Sequence, residues 1–225
     1  MRFSTVSWGM REVLAVHCLR LVVGIILVRF LYPVLFTVSQ NAIELTDRLV
    51  VVVLVWLTVR QSSGWGITLG PGRKLLKNLS FGLIAGVGLL TFSVYTERLY
   101  TTSFALTPTQ HPLLIQVEHA QALEELAVPL FLAGVAAPVA EEMLYRLFTF
   151  PVLAKRYGVF AGALGSAALF ALFHFNAYWL AEMLVVGTGL AFLYYWSGSL
   201  VSAIVAHSVI NTTKILLVFF GWTLL

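Results

Sequence analysis

The sequence predicts an all-α fold: a polytopic transmembrane helix bundle of about seven spans, within a range of six to eight. Three observations carry this. The 225 residues are 60% hydrophobic and only 11% charged, against about 25% charge in an ordinary soluble domain. Mean hydropathy is +0.92. Apolar runs of about 20 residues, the length that crosses a bilayer as a helix, recur along the whole chain.

The first run is 14–38 and carries Arg20, Arg29 and Pro33. The weakly basic MRFSTVSWGMRE before it reads as the approach to a span, not as a cleavable leader. The second run is 43–60, built on LVVVVLVWLTV, and is followed by the Gly- and Lys-rich loop QSSGWGITLGPGRKLLKN. The third is 79–96. A polar connection, TERLYTTSFALTPTQHPLLIQVEHAQALEEL, leads to the fourth at 126–150; its part 113–126 has helical periodicity and lies at the interface or extends the next helix. The fifth, sixth and seventh runs are 158–175, 179–196 and 199–221. Ser197-Gly198-Ser199 is a turn short enough to make the last two antiparallel neighbours. The chain divides into 1–125, several spans with their loops, and 126–225, where the chemistry-bearing helices fall.

The Lys/Arg bias sets the orientation. Arg2 and Arg11, then Arg60, Arg73, Lys74 and Lys77, then Lys155 and Arg156 share one side if the N-terminus is cytoplasmic. The opposite loops receive Arg48, Arg98 and most of the loose acids: Glu44, Asp47, Glu97, Glu118, Glu124 and Glu125. A net charge of +4 is explained by this bias, and no basic run calls for a nucleic acid. Cys18 is the only cysteine, which excludes an internal disulfide and a cysteine-based metal cluster.

The chemistry-bearing residues sit where charge is expensive. Glu141, Glu142 and Arg146 lie inside the fourth span, where a charged side chain costs about 2.5–3.5 kcal/mol on insertion scales. Glu142 and Arg146 are four residues apart and share a face, so they can pair. Glu141 is turned about 100° away, with Tyr145 and not a cation one turn on. It is the carboxylate left for general-base work; the alternative is one buried structural network. Phe170 and His174 are also four apart, so the phenyl ring can hold the imidazole in place, although a lone His in an apolar helix is often a satisfied core residue. His207 and Asn211 align an imidazole and an amide. Both can donate hydrogen bonds to an oxyanion, or serve as polar glue between helices.

Other polar residues are read as secondary. Arg29 snorkels or pairs with an acid. Glu182 is an additional lining group. Lys214 approaches the far interface. His111 and His119 are solvated in the long connection. No serine has the G-x-S-x-G setting of a nucleophile elbow.

Glu141-Glu142…Arg146, Phe170…His174 and His207…Asn211 together resemble the CAAX-protease and bacteriocin-processing family (CPBP, or Abi) of intramembrane peptidases, whose signatures are EExxxR, FxxxH and HxxxN. GTGLAFLYYWSGSLVSAIVAHSVIN, with Gly187, Gly189 and the Gly-Ser-Leu before the last span, is similar to the family's last helix pair. The resemblance covers about 126–213.

It implies that Glu141 activates a water for attack on a peptide carbonyl. By the same resemblance His174 positions that water or stabilises charge, His207 and Asn211 bind the oxyanion, and Glu142 and Arg146, with Phe170, support the site. It also implies a metal-free mechanism. One carboxylate and two histidines (Glu141, His174, His207) are nevertheless a Zn²⁺ ligand set with an open position, although the H-E-x-x-H layout is absent.

The implied partner is a peptide or protein substrate in or at the bilayer. It is a prenylated CAAX-type chain end or a membrane-associated, bacteriocin-like peptide. The expected setting is a bacterial plasma membrane. A non-catalytic scaffold or immunity protein that binds a partner peptide is the alternative. A transporter would call for a second, inverted copy of the polar helices, and the first half holds none.

Overall fold

The computed structural model describes residues 6–35, 39–63, 74–107, 109 and 111–222. The residues described form eight helices: α1 Met10–Val34, α2 Gln40–Ser63, α3 Leu75–Ser103, α4 Pro112–Glu118, α5 Leu123–Tyr157, α6 Val159–Leu172, α7 Leu180–Ser197 and α8 Leu200–Phe219. Arg2, Arg73 and most of the Gly-rich loop at 61–78 lie outside the described residues. Five helices, α1, α3, α5, α7 and α8, are long and apolar enough to cross a membrane. The fifth and second of the expected spans differ: α6 is a shorter apolar helix, and α2 carries Glu44, Asp47 and Arg48 inside its length.

Prolines shape two of the long helices. α1 contains a π-helical stretch at Leu27–Leu31, and α5 contains two, Leu132–Ala136 and Glu142–Thr149. Each stretch ends two residues before a proline: Pro33, Pro138 and Pro151. Proline has no N–H, and its ring collides with the carbonyl one turn earlier. Widening the preceding turn to i→i+5 bonding relieves that collision, as in the bond from the Ala137 N–H to the Leu132 carbonyl. Side chains then occupy carbonyls of the wide turn. Thr149 Oγ1 donates to the Leu144 carbonyl (2.7 Å), Ser166 Oγ to the Tyr145 carbonyl (2.8 Å) and Trp8 Nε1 to the Phe148 carbonyl (2.9 Å). In a bilayer no water is available for this.

The helices α3, α7 and α8 pack side by side, and α6 packs against α7 and the end of α5. α3 reaches α8 across Gly82 and Gly86, four residues apart. A Cβ at Gly82 would lie 2.6 Å from Val205 Cβ and 2.8 Å from the Ser202 carbonyl oxygen. This is a small-xxx-small contact, the means by which helices approach where no hydrophobic effect drives them together. Ser202 Oγ seals it with a hydrogen bond to the Asn78 carbonyl (3.0 Å). Gly82→Val is expected to force α3 off α8 and to cost about 1–3 kcal/mol, read as a lower melting temperature in detergent.

The turn between α7 and α8 is the one expected, with Gly198 in the left-handed region (φ 65°) ending α7. Two polar segments depart from expectation. α3 runs on to Ser103, so Glu97 and Arg98 are helical. Glu44, Asp47 and Arg48 are on α2, not in a loop. A helix does not stop at its first charged residue when neighbouring helices supply partners for it.

Candidate active site

The two adjacent glutamates part company at the entrance to the second wide turn of α5. Glu142 is fully buried. Its Oε1 accepts a hydrogen bond from His207 Nδ1 (2.8 Å) and meets Arg146 Nη1 at 3.0 Å. Arg146, equally buried, donates through Nη2 to the Gly187 carbonyl (3.2 Å) and lies 4.7 Å above the Phe170 ring. Gly187 is needed here because a Cβ would stand 2.9 Å from Ala167 Cβ and 3.2 Å from Phe170 Cδ1.

Phe170 is the hub of the apolar side. Its ring meets His174 edge-on at 4.8 Å, Tyr145 at 5.3 Å and His207 at 5.9 Å between centroids. The Phe170–His174 contact is thus present, but His174 lies in the turn after α6 and not on the helix. Its Nδ1 donates to the Phe170 carbonyl (2.7 Å). A neutral His174 therefore keeps Nε2 as its acceptor.

Glu141 is the carboxylate left over. Its side chain retains 17% exposure, and its Oε2 lies 3.7 Å from His207 Nε2. His207 stands between the two glutamates. Because Glu142 takes the Nδ1 proton, His207 donates through Nε2 only as the doubly protonated ring. Asn211 Nδ2 donates one N–H to the Ala133 carbonyl (2.9 Å), in the first wide turn of α5. The amide has a second N–H to give.

Glu141, His174, His207, Asn211 and Phe170 all line one cavity of about 420 Å³, within the usual range for small-ligand sites. Glu142 and Arg146 stand behind that wall. No group of three His, Cys, Asp or Glu among the described residues is arranged to hold a metal ion, Glu141, His174 and His207 included.

Residues 123–213 match the family model of the type II CAAX prenyl endopeptidases, Rce1-like. The match begins at the first residue of α5 and takes in every residue of the three motifs. No curated protein and no solved structure matches the chain. The Rce1-like match agrees with the family resemblance read from those motifs: this segment is similar to the CAAX endopeptidases, and the five apolar helices make the protein an integral membrane protein.

Several cavity residues lie outside the Rce1-like segment and correct the sequence reading. Lys214 does not run to an interface: it is ion-paired with buried Glu182 and lies 3.8 Å from Glu97. Glu182 is the lining group expected. Arg48, Glu97 and His111 join the same wall. Arg20, a charge in the first span, clamps Asp47 (Nη2–Oδ2 2.8 Å) and reaches Tyr145 Oη at 3.4 Å. Arg29 is exposed. The only signal for Arg48 and Lys214 in the sequence was a cation placed among apolar residues, and neither belongs to a motif.

His111 is not solvated, although His119 is exposed. Its ring stands 5.8 Å from Trp179, and Nδ1 accepts the Leu113 N–H (3.2 Å), capping α4 ahead of Pro112. Burial, helped by the nearby Arg48 charge, holds its pKa below the ordinary histidine value; Glu44 and Glu141 oppose this. The unfolded chain therefore takes up the proton first. The stability from neutral His111 is complete above pH about 6.5 and is lost as pH falls through that value toward the lower folded one. Protonation at Nδ1 also removes the cap, worth about 1 kcal/mol. His111→Asn keeps a capping acceptor and does not titrate. Its melting temperature is expected to fall less than that of the wild type between pH 7 and pH 5.

Proposed function

We propose that the protein is an intramembrane endopeptidase that hydrolyses a peptide bond with water activated by Glu141. The observation that carries this is the meeting of Glu141, His174, His207 and Asn211 on one cavity wall, with the second glutamate committed to Arg146 and His207. The Glu141 carboxylate takes a proton from the water while its oxygen adds to the scissile carbonyl carbon. His174 Nε2 accepts the water's other hydrogen bond and fixes its position. The developing oxyanion accepts an N–H from Asn211 and, when His207 is doubly protonated, the Nε2–H of that ring. Collapse breaks the C–N bond, and the proton held by Glu141 passes to the leaving amine. Glu142 and Arg146 orient His207, and Phe170 packs the three groups together.

The mechanism uses no metal ion. The substrate class is a prenylated CAAX-type chain end or another membrane-associated, bacteriocin-like peptide. Counting α2 and α6 with the five apolar helices gives seven spans, with the N-terminus cytoplasmic in a bacterial plasma membrane.

The test is hydrolysis by the purified protein in nanodiscs, with a quenched prenylated peptide and a set of unprenylated ones. Cleavage that survives a chelator and is absent in Glu141→Ala supports the reading. Loss with chelator and recovery with Zn²⁺ would replace it with a metallopeptidase. Peptide binding without cleavage in any sample would point to a scaffold.

A further inference from the structure

Two cations of different character line the catalytic cavity. Lys214 is neutralised by Glu182 and Glu97, and both acids line the cavity together with the lysine. With two acids beside it, this lysine has no spare charge to offer an anion. Arg48 also lines the cavity, but its acids do not. Glu44 and Asp47 line an adjoining cavity of about 290 Å³, and Arg48 and His111 line both.

The Arg48 fork is also poorly satisfied. Its Nη2 is 3.5 Å from Glu44 Oε2 and its Nη1 3.6 Å from Asp47 Oδ2, beyond the 2.7–3.2 Å of a good N–H···O bond. Its Nε is buried with no hydrogen-bond partner among the described residues. Asp47 cannot tighten onto it, because Arg20 holds both Asp47 oxygens, Nε to Oδ1 at 3.3 Å and Nη2 to Oδ2 at 2.8 Å. A guanidinium with free donors in a partly desolvated cavity is matched by a planar carboxylate that accepts two parallel N–H bonds.

We propose that Arg48 binds the free C-terminal carboxylate of the substrate. The proposal rests on the peptidase reading above and sharpens it: Arg48 becomes a specificity-determining residue. The substrate then lies with its C-terminal end toward α2. The protein cleaves near a chain end, and internal bonds of long loops are disfavoured.

The test uses one peptide in two forms, free acid and C-terminal amide, with turnover measured on wild type, Arg48→Gln and Arg48→Lys, and binding measured on Glu141→Gln with and without Arg48→Gln. Wild type is expected to favour the acid at least about tenfold in kcat/KM, with KM carrying most of the difference; tenfold corresponds to about 1.4 kcal/mol. Arg48→Gln is expected to bring the acid-to-amide ratio near one, and Arg48→Lys to restore part of it. Removing a cation beside Glu44 can impair folding, so the lysine variant, which keeps the charge, is the control. Equal turnover of acid and amide by wild type, or a preference that survives in Arg48→Gln, would overturn the carboxylate site and leave the peptidase reading standing. Acid-selective binding that needs Arg48, without cleavage in any sample, would support the site and remove the peptidase reading.

Discussion

Glu141→Gln is expected to lower peptide hydrolysis by about 10²–10⁴-fold, the usual worth of a positioned general base, and to leave the fold intact. Glutamine keeps the shape of the side chain and removes only its ability to take a proton. The fold tolerates this because Glu141 closes no tight ion pair: it is the partly exposed member of the adjacent pair, and His207 stands 3.7 Å away. Stability should change by no more than about 0.5 kcal/mol, as for substitutions away from buried networks. kcat should carry the loss, and KM should move little, because the carboxylate acts on the water and not on the bound peptide. A Gln variant that turns over like the wild type would place the base elsewhere.

Arg146→Met is expected to destabilise the protein by about 3–5 kcal/mol, because it strands a fully buried Glu142 carboxylate without its cation. The loss should show as poor yield or a much lower melting temperature, and it includes the bond to the Gly187 carbonyl. The double variant Glu142→Met with Arg146→Met removes both charges and should recover much of that stability, since well-packed apolar residues often replace a buried pair at no cost. Activity should not recover with it. His207 Nδ1 would have lost the carboxylate oxygen that accepts its proton at 2.8 Å, and with it the fixed ring orientation. A double-mutant cycle read on both melting temperature and turnover separates the two effects. Recovery of turnover in the double variant would mean that Glu142 and Arg146 serve the fold alone.

The three motifs were legible because a membrane makes polar residues conspicuous. Glu141, Glu142, Arg146, His174, His207 and Asn211 each interrupt an apolar run, and helical spacing alone paired Glu142 with Arg146 and left Glu141 free. The bond between His207 and Glu142 was not legible, since it joins helices 65 residues apart in sequence. Asn211 likewise finds its acceptor at Ala133, a carbonyl in a widened turn that follows from Pro138 only once the helix is built.

Composition and hydrophobic run length by themselves determined that the chain is a helical membrane protein, and motif spacing singled out the residues that meet in its cavity. These are local properties: each depends on a residue and its near neighbours along one helix. Tertiary structure alone decided which helices close the other side of the site. It brought Arg48, Glu97 and His111 from the first 125 residues to a wall they share with Glu141, and it turned Lys214 from an end-of-helix cation into the partner of Glu182. A charge's role in a bilayer is set by whichever opposite charge the packing brings within reach, and packing of distant helices is not written in the period of any one of them.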